Sequence, residues 1–368
     1  MSHEMANLAV DSFPIRKPLQ HDSEDYESLF LDFFNSSLLP SNSTQEFSTL
    51  MTVMASTIFS MIFVVGVVGN IFTIYVVTRR IKLKSTTSVY ILSLACADLL
   101  FVLTSPLFAV QFLLGPDNKF GEIGCRLIDA MDIFTMLTGI FTLTVMSVDR
   151  FFAVVFPLKA MAYRLRAVAS YVNVAVWLIS FVFSLPMMIM VNEVTITNSD
   201  GSTVQRCESL MDEEFDKVYK TVIFVFAFPL PFFIISVCYL TIVSTLLRKN
   251  GSAAIAETNK SRQSKQRVAK MVLIIVVVFF ICWLPFWIIM MLVVYEVITP
   301  TPVLMYLNLA LVCLSYINSC ANPLLYTLLS HNVRRKLRMR GSSTVVSDRI
   351  SEANTTNLNR KSLRSKNI

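Results

Sequence analysis

The sequence predicts an all-α membrane protein, a bundle of seven transmembrane helices followed by a short amphipathic helix. Hydrophobic residues make up 54% of the 368 residues and charged residues only 15%. In soluble proteins, charged residues make up about a quarter of the chain. The charged residues form clusters, and long apolar runs separate these clusters. A run of about 20 apolar residues crosses a bilayer as a helix, because lipid offers the backbone no other hydrogen-bond partners.

Seven apolar runs define the predicted spans. A soluble core of buried helices is the alternative, but seven runs of this length disfavour it. The first 47 residues lack the early apolar core of a cleavable signal, so we expect the first span to act as the membrane signal. Spans one to seven cover residues 51–78, 88–113, 127–154, 168–191, 218–247, 270–295 and 303–329.

The distribution of charge predicts the orientation, because lysine and arginine accumulate on the cytoplasmic side. The loops after spans one, three and five with the adjoining span ends, together with the C-terminal tail, hold 25 of the 32 basic residues. The first 50 residues hold eight acids against two bases, and residues 191–217 hold seven against two. We therefore expect an extracellular N-terminus and a negative outer face that steers cationic solutes inward. A solvated surface that only prevents aggregation is the alternative.

This orientation divides the chain into three parts. Residues 1–47 form an acidic, glycosylated extracellular tail, residues 48–340 form the bundle with its cytoplasmic helix, and residues 341–368 form a disordered cytoplasmic tail. Of five Asn-x-Ser/Thr sites, only Asn35 and Asn42 fall on the outer side and qualify for glycosylation.

Cysteine and histidine positions restrict the chemistry of the outer face. Cys125 lies at the outer end of span three and Cys207 in the loop between spans four and five, which we expect to be irregular. Both face an oxidising compartment, so we expect a disulfide that holds the acidic loop across the mouth of the bundle. None of the three histidines lies inside a span, which argues against a metal hydrolase or a proton relay.

Few charged residues lie within the spans, and each is a functional candidate because an unpaired charge in a membrane is costly. Span two contains Asp98, and span three contains Asp129 and Asp132 near its outer end and Asp149 with Arg150 at its inner end. Arg150 lies about 27 Å along the helix from Asp132, and we expect Asp149 to neutralise Arg150 in the resting bundle. This arrangement suits communication between two faces. The alternatives are a structural role for Asp132 and a rim charge at Asp129.

Prolines interrupt the last three spans. Pro229 and Pro231 lie in span five, Pro285 in span six and Pro323 in span seven. A proline removes a backbone hydrogen bond and kinks its helix, so these spans are candidate hinges. Prolines are also common in membrane helices without such a role.

Several motifs together resemble those of rhodopsin-like G-protein-coupled receptors over residues 51–340. The segments VDRFFAVVFPLKAMAYR and LSYINSCANPLLYTLLSHNVRRKL look like the somatostatin receptors, while the fifth span looks as much like the opioid receptors. The motifs are GN at Asn70, LACAD at Asp98, Cys125, DRF at 149–151, Trp177, Pro231 with Tyr239, CWLP at 282–285 and NPLLY at 322–326.

The resemblance implies a plasma-membrane receptor, not an enzyme, for a cationic neuropeptide or peptide hormone. A somatostatin-like ligand is the first choice, and an opioid-like or other peptide of the same branch is the alternative. The implied partners are a heterotrimeric G protein of the inhibitory class that lowers cyclic AMP, arrestin, a receptor kinase and membrane lipids, with no nucleic acid. A transporter or channel is the competing class, but the chain shows no internal repeat and only nine glycines.

The resemblance also assigns roles to individual residues. It implies that Tyr316 hydrogen-bonds Asp132, and that Trp283 and Phe286 form the floor of the pocket. The implied ligand-binding residues are Asp132, Gln111, Trp283, Phe286, Met290 and Tyr316. The implied sodium-site residues are Asp98, Asn318, Ser319 and Asn322. The implied residues for activation and G-protein coupling are Asp149, Arg150, Tyr239 and Tyr326.

Some positions depart from the family pattern. Gly139 and Thr135 replace side chains that commonly complete the sodium site, so we expect no tight sodium binding and no other cofactor. Met290 replaces an amide of the somatostatin receptors, which predicts a different ligand preference. No cysteine after Cys320 is present for lipid attachment, but a basic run at 334–340 can hold the last helix on anionic lipid. The expected phosphorylation sites for arrestin binding are Ser342, Ser343 and Thr344.

Overall fold

The computed structural model describes residues 41–81, 83, 85–114, 121–158, 166–197, 203–249, 259–298 and 302–329. In this part of the chain the elements are almost entirely helical. In chain order they are α1 (Ser41–Tyr75), α2 (Thr86–Val102), α3 (Ser105–Leu114), α4 (Gly121–Val155), α5 (Arg166–Met190), β1 (Val191–Thr197), β2 (Thr203–Ser209), α6 (Glu213–Ala227), α7 (Pro229–Lys249), α8 (Asn259–Val294) and α9 (Pro302–Leu329), with a π-helical turn Val76–Ile81 after α1.

The described helices form the bundle that the hydropathy predicts. Over these residues, six helical segments are long and apolar enough to cross a membrane. The seventh predicted span coincides with α9, which packs against α8 and α1. The predicted fold class, an all-α membrane bundle, is confirmed, while the predicted amphipathic helix after span seven lies outside the described residues.

Two of the predicted spans are not single helices. Span two breaks at Leu103 and Thr104, between α2 and α3, so the prediction of one helix over 88–113 is wrong. The cause is Pro106, which has no N–H to donate to the carbonyl four residues earlier. Span five breaks at Phe228, directly before Pro229, as the predicted kink requires.

The outer loop between α5 and α6 forms an antiparallel β-hairpin. Strands β1 and β2 pair in a register that places Glu193 opposite Cys207. An irregular loop was the expectation from sequence, and it is wrong. The β-branched runs VNEVTIT and TVQRC flank the turn-forming residues NSDG, which is the sequence pattern of a hairpin.

Helix α4 is the centre of the bundle. It contacts α5, α7, α2, α8 and the hairpin, and its most apolar stretch is 61% buried, against 17% for α5. Leu137, Ile140 and Leu143 on α4 are almost completely buried. The middle of this helix is therefore held by neighbouring elements, and it connects the acids at its outer and inner ends.

Candidate functional site

The outer end of α4 is fixed to the β-hairpin by covalent and polar contacts. Cys125 and Cys207 form the expected disulfide, with their Cα atoms 5.3 Å apart. One residue further, Arg126 donates from Nε to the carbonyl of Val191 at 3.2 Å and to Oδ1 of Asn192 at 3.1 Å. The hairpin therefore cannot move away from the outer mouth without breaking these contacts.

Asp132 lies on α4 below this mouth, two helical turns after Cys125. Its side chain is partly buried, and its Oδ1 is buried and has no hydrogen-bond partner among the described residues. Asp129, one turn closer to the outside, adds a second negative charge that acts on it. An unsatisfied buried acceptor costs about 1–3 kcal/mol, so a donor that reached this oxygen would remove that cost.

The expected hydrogen bond between Tyr316 and Asp132 is absent, and that prediction is wrong. The hydroxyl of Tyr316 lies 2.6 Å from Oγ1 of Thr104, in the break between α2 and α3. The ring of Tyr316 stacks on Phe101 with a centroid distance of 4.0 Å. Tyr316 therefore contacts residues of predicted span two, and not Asp132, through its hydroxyl and its ring.

Trp287 closes the bundle below Asp132, and the sequence reasoning missed it. Its indole N–H contacts Sδ of Met136 at 3.1 Å, and Met136 follows Asp132 by one turn on the same face of α4. The ring also lies beside Phe228 and Phe286. The signal was in the sequence, because Trp287 follows Trp283 by four residues and so shares its helix face.

The structure places the other predicted ligand residues with different degrees of detail. Trp283 is buried, and its ring lies 5.3 Å from that of Phe101. Phe286 and Met290 are partly buried and pack against the core. Gln111 lies in α3, but its side chain is outside the description.

Some predicted sites lie at the limits of the described residues or beyond them. Asn42 lies in α1 and Tyr326 in α9, and their side chains are not described. The remaining predicted modification sites lie outside the described residues, namely Asn35, Ser342, Ser343 and Thr344.

Asp98 and residues of α9 form the predicted polar cluster inside the bundle. The carboxylate of Asp98 accepts from Oγ of Ser319 at 2.8 Å and from Nδ2 of Asn322 at 2.6 Å. The side-chain oxygens of Asn318 and Asn322 are buried without a hydrogen-bond partner in this part of the chain. A small cavity bordered by these four side chains extends to Gly139 and Thr135.

This cluster fits a sodium ion in the chemical type of its donors. Hard cations prefer carboxylate and carbonyl oxygens, and two such oxygens, of Asn318 and Asn322, have no partner. Gly139 supplies no oxygen, and the hydroxyl of Thr135 donates to the carbonyl of Met131 at 2.7 Å. A bound sodium ion would place a positive charge beside Asp98.

The inner end of α4 carries the paired charges that the sequence predicts. Arg150 is 6% exposed and forms an ion pair with Asp149. Arg150 also donates to Thr87, while Thr86 donates to Asp149 at 3.3 Å. The pair thus joins α4 to the start of α2 and needs no further partner for neutrality.

Tyr239 joins α7 to α8 in the same half of the bundle. Its hydroxyl donates to the carbonyl of Ala269 at 3.0 Å, and the side chain is 8% exposed. This bond holds the two helices together on the side where Arg150 lies.

Comparison with known proteins identifies the family. The sequence model of the 7 transmembrane receptor (rhodopsin family) matches residues 69–326. The chain belongs to the rhodopsin family of G-protein-coupled receptors. Members of this family are receptors and not enzymes. The family and the apolar helices together make this receptor a multi-pass plasma-membrane protein.

Within this family, the receptor is similar to somatostatin receptors. It is 37% identical to somatostatin receptor type 2 of Mus musculus over 311 residues, which cover 83% of this chain and 82% of the relative. It is 37% identical to type 1 of Rattus norvegicus, over 78% of this chain and 71% of the relative. Type 4 of Rattus norvegicus is 36% identical over 76% and 71%. The receptor therefore falls in the somatostatin-receptor branch of the family.

Proposed function

We propose that the receptor binds a cationic peptide, somatostatin-like in character, on its extracellular side and lowers cyclic AMP through an inhibitory G protein. The observation that supports this proposal most directly is Asp132, whose buried Oδ1 lacks a hydrogen-bond donor within the described part of the chain. A ligand amine or guanidinium supplies both the missing donor and the compensating charge. The similarity to somatostatin receptors gives the class of ligand.

Charge around the outer mouth favours a cationic ligand over an anionic or neutral one. Two described bases on α6 are paired with acids on the same helix, Lys217 with Glu213 and Lys220 with Asp216. The acids Glu193 and Glu208 of the hairpin add to the negative charge. Such a surface raises the encounter rate of a cationic peptide and orients it before contact.

This function requires an extracellular N-terminus, which we propose from the concentration of basic residues in the cytoplasmic loops. The inner half of the bundle then faces the G protein. Outward movement of α8 breaks the hydrogen bond from Tyr239 to Ala269 and exposes Arg150. Arg150 then separates from Asp149 and contacts the G protein. Arrestin and a receptor kinase act on the tail at Ser342, Ser343 and Thr344, and the basic run at 334–340 lies on anionic lipid.

The ligand proposal is tested in cells that express the receptor and report cyclic AMP. A panel of cationic peptides that includes somatostatin and opioid peptides should contain at least one that lowers cyclic AMP. Asp132→Asn should abolish this response at normal surface expression, because the amide cannot neutralise the ligand cation. Asp129→Asn makes the same change one turn higher and should retain more of the response. A normal response of Asp132→Asn would exclude Asp132 as the ligand acid.

A further inference from the structure

The break between α2 and α3 turns a hydroxyl toward α9. α2 ends at Val102 because Pro106 lacks the N–H that would continue the helix. Thr104 lies in the resulting turn, where its backbone N–H donates to the carbonyl of Phe101 at 3.0 Å, and it is 7% exposed. This side chain is therefore held by the turn itself.

The hydrogen bonds of Thr104 fix the direction of its contact with Tyr316. Oγ1 of Thr104 lies 2.6 Å from the carbonyl of Phe101, which can only accept. The hydroxyl of Thr104 carries one hydrogen, and this bond uses it. Tyr316 must therefore donate in the 2.6 Å bond that joins the two hydroxyls.

The ring of Tyr316 is also fixed on the side of α1 and α2. It stacks on Phe101 and meets Phe59 edge-on, with centroid distances of 4.0 and 5.7 Å. The side chain is fully buried. The hydroxyl hydrogen of Tyr316 is thus directed to Thr104, although the charge of Asp132 also acts on this side chain.

We propose that Thr104 is a positioning residue for ligand recognition. Its hydroxyl accepts the hydrogen bond that Tyr316 donates and thereby keeps Oδ1 of Asp132 available to a cationic group of the ligand. This inference rests on the proposed function for its ligand, a peptide amine or guanidinium. If Tyr316 donated to Asp132, the acid would already hold one donor and would gain less from the ligand cation.

Binding measurements with a charged and a neutralised probe test the proposal. The probes are somatostatin and the same peptide with its amines acetylated, and the quantity of interest is the ratio of their affinities. Thr104→Val preserves the shape of the side chain but removes the hydroxyl, so Tyr316 is free to donate to Asp132. We expect the preference for the charged probe to fall about tenfold. Thr104→Ser retains the hydroxyl and should retain the preference.

A second background separates positioning from a general structural defect. In Tyr316→Phe no hydroxyl remains to be released, so adding Thr104→Val to this variant should leave its preference for the charged probe unchanged. The proposal is overturned if Thr104→Val keeps the wild-type preference, or if Thr104→Ser loses as much as Thr104→Val.

A ligand-free measurement decides the same point independently of the probe. Double-mutant cycles on the unfolding midpoint of the purified receptor report which side chains share a hydrogen bond. The effects of Thr104→Val and Tyr316→Phe should be strongly non-additive, because each removes the same bond. The effects of Tyr316→Phe and Asp132→Asn should be additive in the wild type and coupled in the Thr104→Val background.

The two measurements distinguish failure of this inference from failure of the proposed function. If the wild-type receptor binds neither somatostatin probe, the proposed ligand is wrong, and the unfolding cycles still decide the role of Thr104. Additive effects of Thr104→Val and Tyr316→Phe would overturn the inference, whatever the receptor binds.

Discussion

The two ends of α4 hold their charged side chains in opposite ways. At the inner end, Arg150 and Asp149 form an ion pair, Arg150 also donates to Thr87, and Asp149 also accepts from Thr86. At the outer end, Oδ1 of Asp132 is buried without a hydrogen-bond partner among the described residues. A buried charge is stable when it is paired and costly when it is alone. The charges of the inner end are therefore paired within the bundle, whereas we propose that a ligand cation pairs the charge of the outer end.

The same comparison predicts that ligand binding acts directly on the outer end, whereas the inner end changes only when the bundle rearranges. A cation that reaches Asp132 gains interaction energy without breaking an existing pair. Arg150 has to leave Asp149 before it contacts anything else, and this requires movement of helices. We therefore propose that one helix carries an outer site ready to bind a cation and an inner site held closed by its ion pair.

The largest expected effect comes from unpairing the inner charges. In the receptor without ligand, Asp149→Asn leaves Arg150 buried without its counter-ion and should lower the free energy of unfolding by about 3 kcal/mol. Asp132→Asn removes a carboxylate whose Oδ1 has no donor among the described residues and should leave this free energy unchanged or raise it by about 1 kcal/mol. Thermal unfolding of the purified variants measures both. Equal losses would mean that the two acids are equally well paired.

The sequence predicted the bundle and the inner pair well because both depend on strong local signals. Hydropathy placed span three at 127–154, and α4 runs from Gly121 to Val155. Asp149 and Arg150 are adjacent in the chain, so their pairing requires little information about the fold. The disulfide was equally predictable, since Cys125 and Cys207 are the two cysteines on the outer side.

The contacts at the outer site were harder to predict because they depend on breaks and tertiary packing. The partner of Tyr316 is decided by where α2 ends, and the hydropathy of span two does not reveal that end. Pro106 was the available signal, but it fixes only the position of the break and not the direction of the hydroxyl of Thr104. The contact of Trp287 with Met136 joins two helices whose relative rotation no periodicity specifies.

The contact between Trp287 and Met136 forms the floor beneath Asp132. A substitution in this floor is a sharper test of the outer end, with a smaller expected effect. Trp287→Phe removes the contact to Met136 and should cost about 1 kcal/mol of stability. It should also change the affinity for a peptide agonist, because the ring lies one turn below the ligand acid. Trp177→Phe is the matched control, because it removes an indole hydrogen bond outside this floor, the one to Oγ of Ser93 at 2.8 Å.

Comparing the two tryptophan variants separates stability from recognition. Radioligand binding with the active peptide of the panel should detect a changed affinity for Trp287→Phe and an unchanged one for Trp177→Phe. The same affinity change in both variants would show that the effect follows from weakened packing of the bundle and not from the floor.

The smallest expected effect concerns the polar cluster that lies between the two ends of α4. Gly139 borders the cavity beside Asp98, and a Cβ at this position would meet Leu94 at 3.7 Å and Phe279 at 3.8 Å, which are ordinary contacts. Gly139→Ser adds an oxygen to a cavity whose oxygens already suit sodium, while Gly139→Ala fills the same space without one. Replacing choline chloride by sodium chloride should therefore stabilise Gly139→Ser against thermal unfolding by up to about 1 kcal/mol. Gly139→Ala should respond to sodium no more than the wild type, and an equal response of the two variants would mean that the added oxygen does not bind the ion.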